Sequence, residues 1–310
     1  MRNRKARQRG LAAITAILVV AIAASAATLM LAQQSAMLDQ VSLITSRAQA
    51  DLYAQAGLDW ARGVLSEDAR RAGAVDSLDE PWAQPMVGLP IERAIVAGAI
   101  ADEQGKYNLN NLLNGTQKSP ADIEILRRLL ASLGLEPDLA YAVLDWIDAD
   151  SDLSGNGGAE DAYYLSLPKP YRAANQPMVQ VEELYRVRGF DAAAVAKLRP
   201  YVTALPGRTP VNANTARAPV LAAILPEVSA SKIAQMVKDR IQRPFRTKDQ
   251  VASWAKEAPV GVVSDNLDVR SAFFSVLIQV AQDDVQLAND ALVQRGQNAV
   301  TAVMWRRPRY

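Results

Sequence analysis

From Leu11 to Ala32 the chain is apolar except for Thr15, Ser25 and Thr28. As a helix rising about 1.5 Å per residue, that run reaches roughly 33 Å, close to the hydrocarbon thickness of a bilayer. Residues 11–32 are therefore predicted to span a membrane. Beyond them Met37, Val41, Ile44, Ala48, Leu52, Ala56 and Trp60 recur every three or four positions, and no Pro or Gly intervenes before Gly57. The same helix is expected to continue over residues 33–73 and to lay this stripe on a globular head. Arg2, Arg4, Lys5, Arg7 and Arg9 precede the apolar run and the next charge is Asp39, an asymmetry that keeps the N-terminus cytoplasmic and sends the head across the membrane.

The head divides by pattern. Ile91 to Tyr107 alternates loosely, with a turn signal at Asp102-Glu103-Gln104-Gly105, and reads as a hairpin. Three more strands are expected over Ala272–Ala281, Val285–Val293 and Ala299–Trp305, with turns at Asp283-Asp284 and Arg295-Gly296-Gln297-Asn298. Between these blocks the chain reads mostly as helix. Residues 74–107 and 259–310 are thus expected to form one α/β domain whose antiparallel sheet packs on the long helix, and 108–258 an inserted helical domain, giving an α+β chain.

The insert repeats itself. Tyr107-Asn108-Leu109-Asn110-Asn111-Leu112 parallels Val211-Asn212-Ala213-Asn214-Thr215-Ala216, and Pro177-Met178-Val179-Gln180-Val181-Glu182-Glu183-Leu184 parallels Pro244-Phe245-Arg246-Thr247-Lys248-Asp249-Gln250-Val251. Helical pairs lie between: Ser119–Leu133, closed by Gly134, with Pro137–Ile147, and then Ala218–Leu225 with Ser229–Ile241. The Asn pairs are expected to cap helix starts through their side-chain carbonyls.

The first copy carries an insertion with chemical content. Asp145, Asp148, Asp150, Asp152, Glu160 and Asp161 place six carboxylates within 17 residues, with no Lys or Arg among them. Alone they repel one another. A hard cation with six to eight oxygen ligands resolves that repulsion, and Asp-x-Asp-x-Asp followed by Gly and Asn turns is a usual calcium wrap. It is not an EF-hand: counted from Asp148, Leu153 stands where Gly is needed and Ala159 where Glu is needed, with Glu160 one place late. Asp148, Asp150, Asp152 and Glu160 are the first candidates as Ca2+ ligands. Asp145, one helical turn before Asp148, and Asp161 come second and could serve a second ion, and Asn156 could add its side-chain oxygen. A solvated acidic loop without metal is the alternative. Magnesium fits less well because it keeps its waters. Glycoside hydrolysis would need two carboxylates held apart on a rigid cleft, whereas these crowd a Gly-rich loop, so enzyme activity is not expected. Trp146 reads as core, and Tyr163-Tyr164 as packing on the loop.

Composition narrows the rest. The 310 residues contain no Cys and no His and carry a net charge of +1. Disulfide frameworks, thiol nucleophiles, Cys/His zinc sites and Ser-His-Asp triads are excluded, and no general attraction to nucleic acid is implied.

Three readings of the N-terminus compete: a secretory signal cut at Ala24-Ser25-Ala26, an uncut signal-anchor, and a short basic leader ending at Gly10 and cut on the cytoplasmic side, leaving Leu11 first. Arg-Gln-Arg-Gly (Arg7 to Gly10) before an unbroken helix resembles the leader of the type IV pilin and type II secretion pseudopilin superfamily. The resemblance implies a prepilin leader over 1–10, a prepilin peptidase as processing partner and a pilin-like fold. It also implies anchoring in the bacterial inner membrane with a periplasmic head. In that superfamily the fifth residue of the mature chain is usually Glu, which neutralises the N-terminal amine of a neighbouring subunit. Here it is Thr15. Loss of this Glu, a large helical insert and an acidic calcium-type loop together resemble the general secretion pathway protein K family. This implies a tip position in the pseudopilus, partnership with the I and J minor pseudopilins in a heterotrimeric complex, and calcium in the head.

The second helical copy is similar to the helix-hairpin-helix (SAM-like) domain of DNA-uptake receptors, in its Asn-x-Asn-Thr-Ala opening and its Arg243-to-Asp249 close. DNA-binding hairpins contain Gly so that backbone N–H groups approach phosphate. Here the hairpin is Pro226-Glu227-Val228-Ser229, and no nucleic acid is expected. A membrane-anchored DNA-uptake receptor and a signal-peptide-cleaved calcium-binding enzyme are the competing functions.

Overall fold

The apolar run and the stretch after it form one helix, α1 (Arg2–Arg71), with no interruption. The computed structural model describes residues 2–71, 75–296 and 298–309, and of residues 2–11 the helical backbone alone. The side chains at the Gly10–Leu11 junction therefore lie outside the described ones. Among the described residues α1 is the single helix long and apolar enough to cross a membrane, and none of its apolar window is buried by the rest of the protein.

Past the membrane-length segment, α1 lies on a five-stranded antiparallel sheet: β1 (Met86–Ile91), β2 (Ala94–Asp102), β3 (Phe273–Gln282), β4 (Val285–Arg295) and β5 (Thr301–Pro308), adjacent in that order. Alternate residues of the sheet, Val96, Ile100, Phe274, Val276, Ile278, Val280, Ala291 and Val293, form one apolar core with α1, as a period of two requires.

The face of α1 that enters this core is not the one the hydrophobic stripe predicted. Ala50, Ala54, Leu58, Ala61 and Leu65 are buried, whereas Leu52 is 69% and Trp60 49% exposed. The reason is distance. A Cβ on Gly57 would lie 3.1 Å from Ile278 Cγ2, so the sheet admits only small side chains along most of the contact, and the bulky stripe from Met37 to Trp60 points outward.

The first hairpin also turns elsewhere than expected. Ile91 pairs with Ala94, so the turn is Glu92-Arg93, with Glu92 at φ 52°. Asp102-Glu103-Gln104-Gly105 is instead the exit from the sheet: a 3-10 turn over Glu103–Gly105 whose start is capped by the Asp102 carboxylate accepting from Gln104 N. The remaining strands fall close to their predicted positions.

The insert holds α2 (Pro120–Ser132), α3 (Leu139–Ile147), α4 (Asp161–Leu165), α5 (Ala192–Leu198), α6 (Ala218–Ile224), α7 (Ala230–Asp239), α8 (Lys248–Trp254) and α9 (Val260–Asn266). Its core gathers Leu109, Leu112, Leu126, Leu129, Leu130, Leu144, Leu221 and Leu225. Val263, Leu267 and Val269 join that core, so 260–269, expected with the sheet, pack among the helices.

The sequence repeats prove to be partners of each other. Asn110 accepts from Met178 N at 2.8 Å and donates to Met178 O at 2.9 Å. Asn214 does the same with Phe245, at 2.8 and 3.0 Å. In each copy the second Asn ties the module's opening to its closing loop. The first Asn caps as expected, but over a tight turn: Asn108 Oδ1 accepts from Asn110 N, and Asn212 Oδ1 from Asn214 N.

A buried polar joint links insert and sheet. Asp102 accepts from Thr215 Oγ1 at 2.6 Å, Ser271 Oγ at 2.7 Å and Asn212 Nδ2 at 3.0 Å. Burial raises its carboxyl pKa to about 6, against these hydrogen bonds.

Candidate metal centre

Helix α3 delivers the first ligand. Its amphipathic sequence buries Val143, Leu144, Trp146 and Ile147, and Asp145, which shares that buried segment, is carried inward with them. Asp148 is the C-cap of α3, and Glu160 the N-cap of α4. The loop between folds back so that Asp145, Asp148 and Glu160 each present a carboxylate oxygen within 4.8 Å of the others.

These three groups are 0%, 2% and 5% exposed. Asp145 Oδ1 accepts from Ser154 N at 3.0 Å, but Asp145 Oδ2 and both oxygens of Asp148 and Glu160 are buried without a hydrogen-bond partner. Lys118 Nζ stands 3.0 Å from Asp148 Oδ2, an ion-pair contact out of line for a hydrogen bond. Burial first, and then the neighbouring carboxylates, raise the Glu160 carboxyl to about pKa 7. The Asp145 and Asp148 carboxyls are raised as well, mainly by burial. Three buried carboxylates brought this close, with five oxygens lacking a hydrogen bond, are costly unless positive charge sits among them. An all-oxygen donor set suits calcium and not a soft or nitrogen-seeking metal, so the residues fit the expected ion.

The loop is shaped around this trio. Gly157 has φ 101°, and a Cβ on Gly158 would overlap Asp145 Oδ2. Arg188 Nη1 donates to Gly158 O at 2.9 Å, and its guanidinium lies over the Tyr163 ring at 4.8 Å. Tyr164 is fully buried, edge-on to Trp146 at 5.3 Å. Trp146 is core and the tyrosine pair supports the loop, as read.

The other candidates are elsewhere. Asp150 is exposed, accepts from Asp152 N at 2.8 Å and pairs with Lys118 at 3.1 Å, and the Asp152 contact first, then Lys118, holds its pKa down. Asp152 and Asn156 are exposed. Asp161 accepts from Ala173 N at 3.0 Å and pairs with Arg172 at 3.3 Å. Asp145, placed second by sequence, thus meets Asp148 and Glu160, while Asp150, Asp152 and Asp161 are not part of that group. Asn175 N–H donates to Trp146 O at 3.0 Å, beside the end of α3, its φ is 46°, and its Oδ1 is buried without a partner.

Two family models, both described as type II secretion system (T2SS) protein K, match residues 105–207 and 211–270. A type II secretion system protein K from Pseudomonas aeruginosa is 34% identical over 310 residues, covering 96% of this chain and 92% of that one. The chain belongs to the type II secretion system protein K family. A second protein K, from Pectobacterium carotovorum subsp. carotovorum, is 31% identical with 96% of each chain covered. The crystal structure of the GspK-GspI-GspJ complex from the enterotoxigenic Escherichia coli type 2 secretion system contains a chain that superposes with TM-score 0.77. The match covers 87% of this chain and 99% of that one at 24% identity, and it establishes the α+β, pilin-like fold. The two family segments meet between the repeated modules, and the second extends through α9 to residue 270, in line with the packing of 260–269 among the helices. Membership in this family makes the chain a protein of the type II secretion system.

Proposed function

We propose that the chain caps the tip of the periplasmic pseudopilus, in complex with minor pseudopilins of the I and J type, and so initiates an assembly that supports export of folded proteins. The observation that carries this reading is the whole-length likeness to protein K together with the outward stripe of α1. Leu52 and Trp60 lie on the part of α1 that packs on the head, on its outer side, while small residues hold the inner side to the sheet. That leaves a bulky apolar surface free for partner helices. In this reading prepilin peptidase cuts after Gly10, and α1 from Leu11 anchors the chain in the inner membrane with its head periplasmic.

Thr15 fits the tip position. Its Oγ1 donates to Ala12 O at 3.0 Å within its own helix, and it offers no carboxylate to the N-terminal amine of a subunit above. The head ends the filament.

Calcium belongs to the same proposal. Asp145, Asp148 and Glu160 would hold it, and the ion would supply positive charge that ties the end of α3 to the start of α4. Its role is structural, since loop 148–161 has little apolar content with which to order itself.

The test is co-purification of full-length chain with its I and J partners from membranes, with N-terminal sequencing of the processed form. The expected result is a ternary complex, a mature start at Leu11 that depends on prepilin peptidase, and loss of the complex in a Leu52→Glu/Trp60→Glu variant whose melting temperature is unchanged. A start near Ala27, or a complex indifferent to that variant, contradicts the proposal.

A further inference from the structure

We infer that Lys118 is a built-in counter-ion of the acidic site, which partly neutralises it when no divalent cation is bound and weakens the site's hold on that cation when one is. The inference rests on the calcium reading above and deepens it.

Lys118 comes from outside the acidic loop. It pairs with Leu113 across a tight turn and directly precedes Ser119, the N-cap of α2, so its backbone is fixed while its side chain reaches across to the loop. Its Nζ lies 3.0 Å from Asp148 Oδ2, 3.1 Å from Asp150 Oδ2 and 2.9 Å from Ser154 Oγ. Asp148 belongs to the converging trio, and Asp150 and Ser154 do not. The ammonium therefore has one contact that a bound cation would share and two on which it can rest when displaced. Among the described residues no other Lys or Arg forms an ion pair with Asp145, Asp148 or Glu160.

One ammonium does not satisfy the site. Asp145 Oδ2 and both Glu160 oxygens remain without partners, so a divalent cation still has a place. Two positive centres sharing Asp148 repel at a few ångströms, and this close to a buried carboxylate the repulsion is screened less than in water. The result is a site whose affinity is held below what its carboxylates alone would give, and whose empty form is spared the full repulsion of those carboxylates.

The experiment is a calcium titration of full-length protein in detergent, by heat of binding and by melting in calcium and in chelator, for wild type, Lys118→Gln and Lys118→Arg. Lys118→Gln is expected to bind calcium about tenfold tighter or more, to melt below wild type in chelator, and to melt no lower than wild type in saturating calcium. Lys118→Arg, which keeps the charge, is expected to retain the wild-type pattern. Unchanged or weaker calcium binding by Lys118→Gln overturns the inference and leaves the calcium reading standing. So does an equal loss of melting temperature with and without calcium, the mark of an ordinary packing role. A wild-type chain that binds no calcium overturns both.

Discussion

Among the described residues two clusters of three carboxylates come together, Asp68/Asp76/Glu80 and Asp145/Asp148/Glu160, and they are finished in opposite ways. In the first, Arg295 donates to Asp68 Oδ2 at 2.8 Å, to Asp76 Oδ2 at 2.6 Å and to Ser271 O at 2.9 Å. Glu80 Oε2 accepts from Trp82 Nε1 at 2.6 Å and Ser77 N at 3.1 Å. None of these three residues appears among the buried polar groups left without a partner. In the second, a single lysine reaches Asp148 Oδ2 from the edge, and Asp145 Oδ2, Asp148 Oδ1 and both Glu160 oxygens stay without a partner. A guanidinium with five donors in a fixed fork can complete an acidic cluster from within, and an ammonium at the rim cannot. The first cluster is a closed joint between stalk, sheet and insert. On the calcium reading proposed above, the second is completed from outside.

Removing the internal cation should have the largest effect. Arg295→Met strands Asp68 and Asp76 in a buried site and is expected to cost about 3–5 kcal/mol in urea unfolding, with or without calcium. A loss much smaller than that would mean the first cluster is as solvated as a surface pair.

Removing the external cation comes next. In calcium at about a hundred times the dissociation constant, the ion should stabilise the fold by about 2.7 kcal/mol. Chelator should abolish that increment, and Glu160→Gln should lack it from the start while melting no lower than wild type in chelator, because it removes a charge the empty site has to repel. An Arg295→Met chain that still gains the full increment would show the two clusters to be independent.

The smallest effect is the share of Glu80 in a pH dependence to which the buried Asp102 also contributes. Burial raises the Glu80 carboxyl from 4.5 to about 7 against its hydrogen bonds from Trp82 and Ser77. The folded chain therefore holds a proton there that the unfolded chain has released, and stability is lost as pH rises from about 4.5 toward about 7. For this half-buried group the change should be under about 1 kcal/mol after solvent screening. Urea unfolding in saturating calcium, where the second cluster is silent, should show a smaller loss of stability between about pH 4.5 and 7 in Glu80→Gln than in wild type, with the part owed to Asp102 remaining.

Much of this architecture was legible in the chain. The strands from Phe273 to Pro308 follow from period-two alternation and Asp-Asp punctuation, and α1 follows from an unbroken apolar run. Its inner face was not legible, because Ala50, Ala54, Gly57 and Ala61 carry little hydropathy and matter through how closely they let Ile278 approach. The first hairpin was misplaced because Asp102-Glu103-Gln104-Gly105 has turn composition and Glu92-Arg93 does not. The acidic loop announced itself by charge, but which carboxylates meet depends on the path back from α3 to α4, so Asp145 outranks Asp150 and Asp152 for a tertiary reason. Lys118 sits too far from the loop in sequence for any spacing rule to include it.

The most direct test of the contrast is calorimetric titration of calcium into the full-length, detergent-solubilised chain, paired with melting in calcium and in chelator. Saturable binding that raises the melting temperature in wild type, and is lost in Glu160→Gln, is the predicted result. Absence of binding heat, with the same melting temperature in calcium and in chelator, would contradict it and leave Asp145, Asp148 and Glu160 as a second closed cluster.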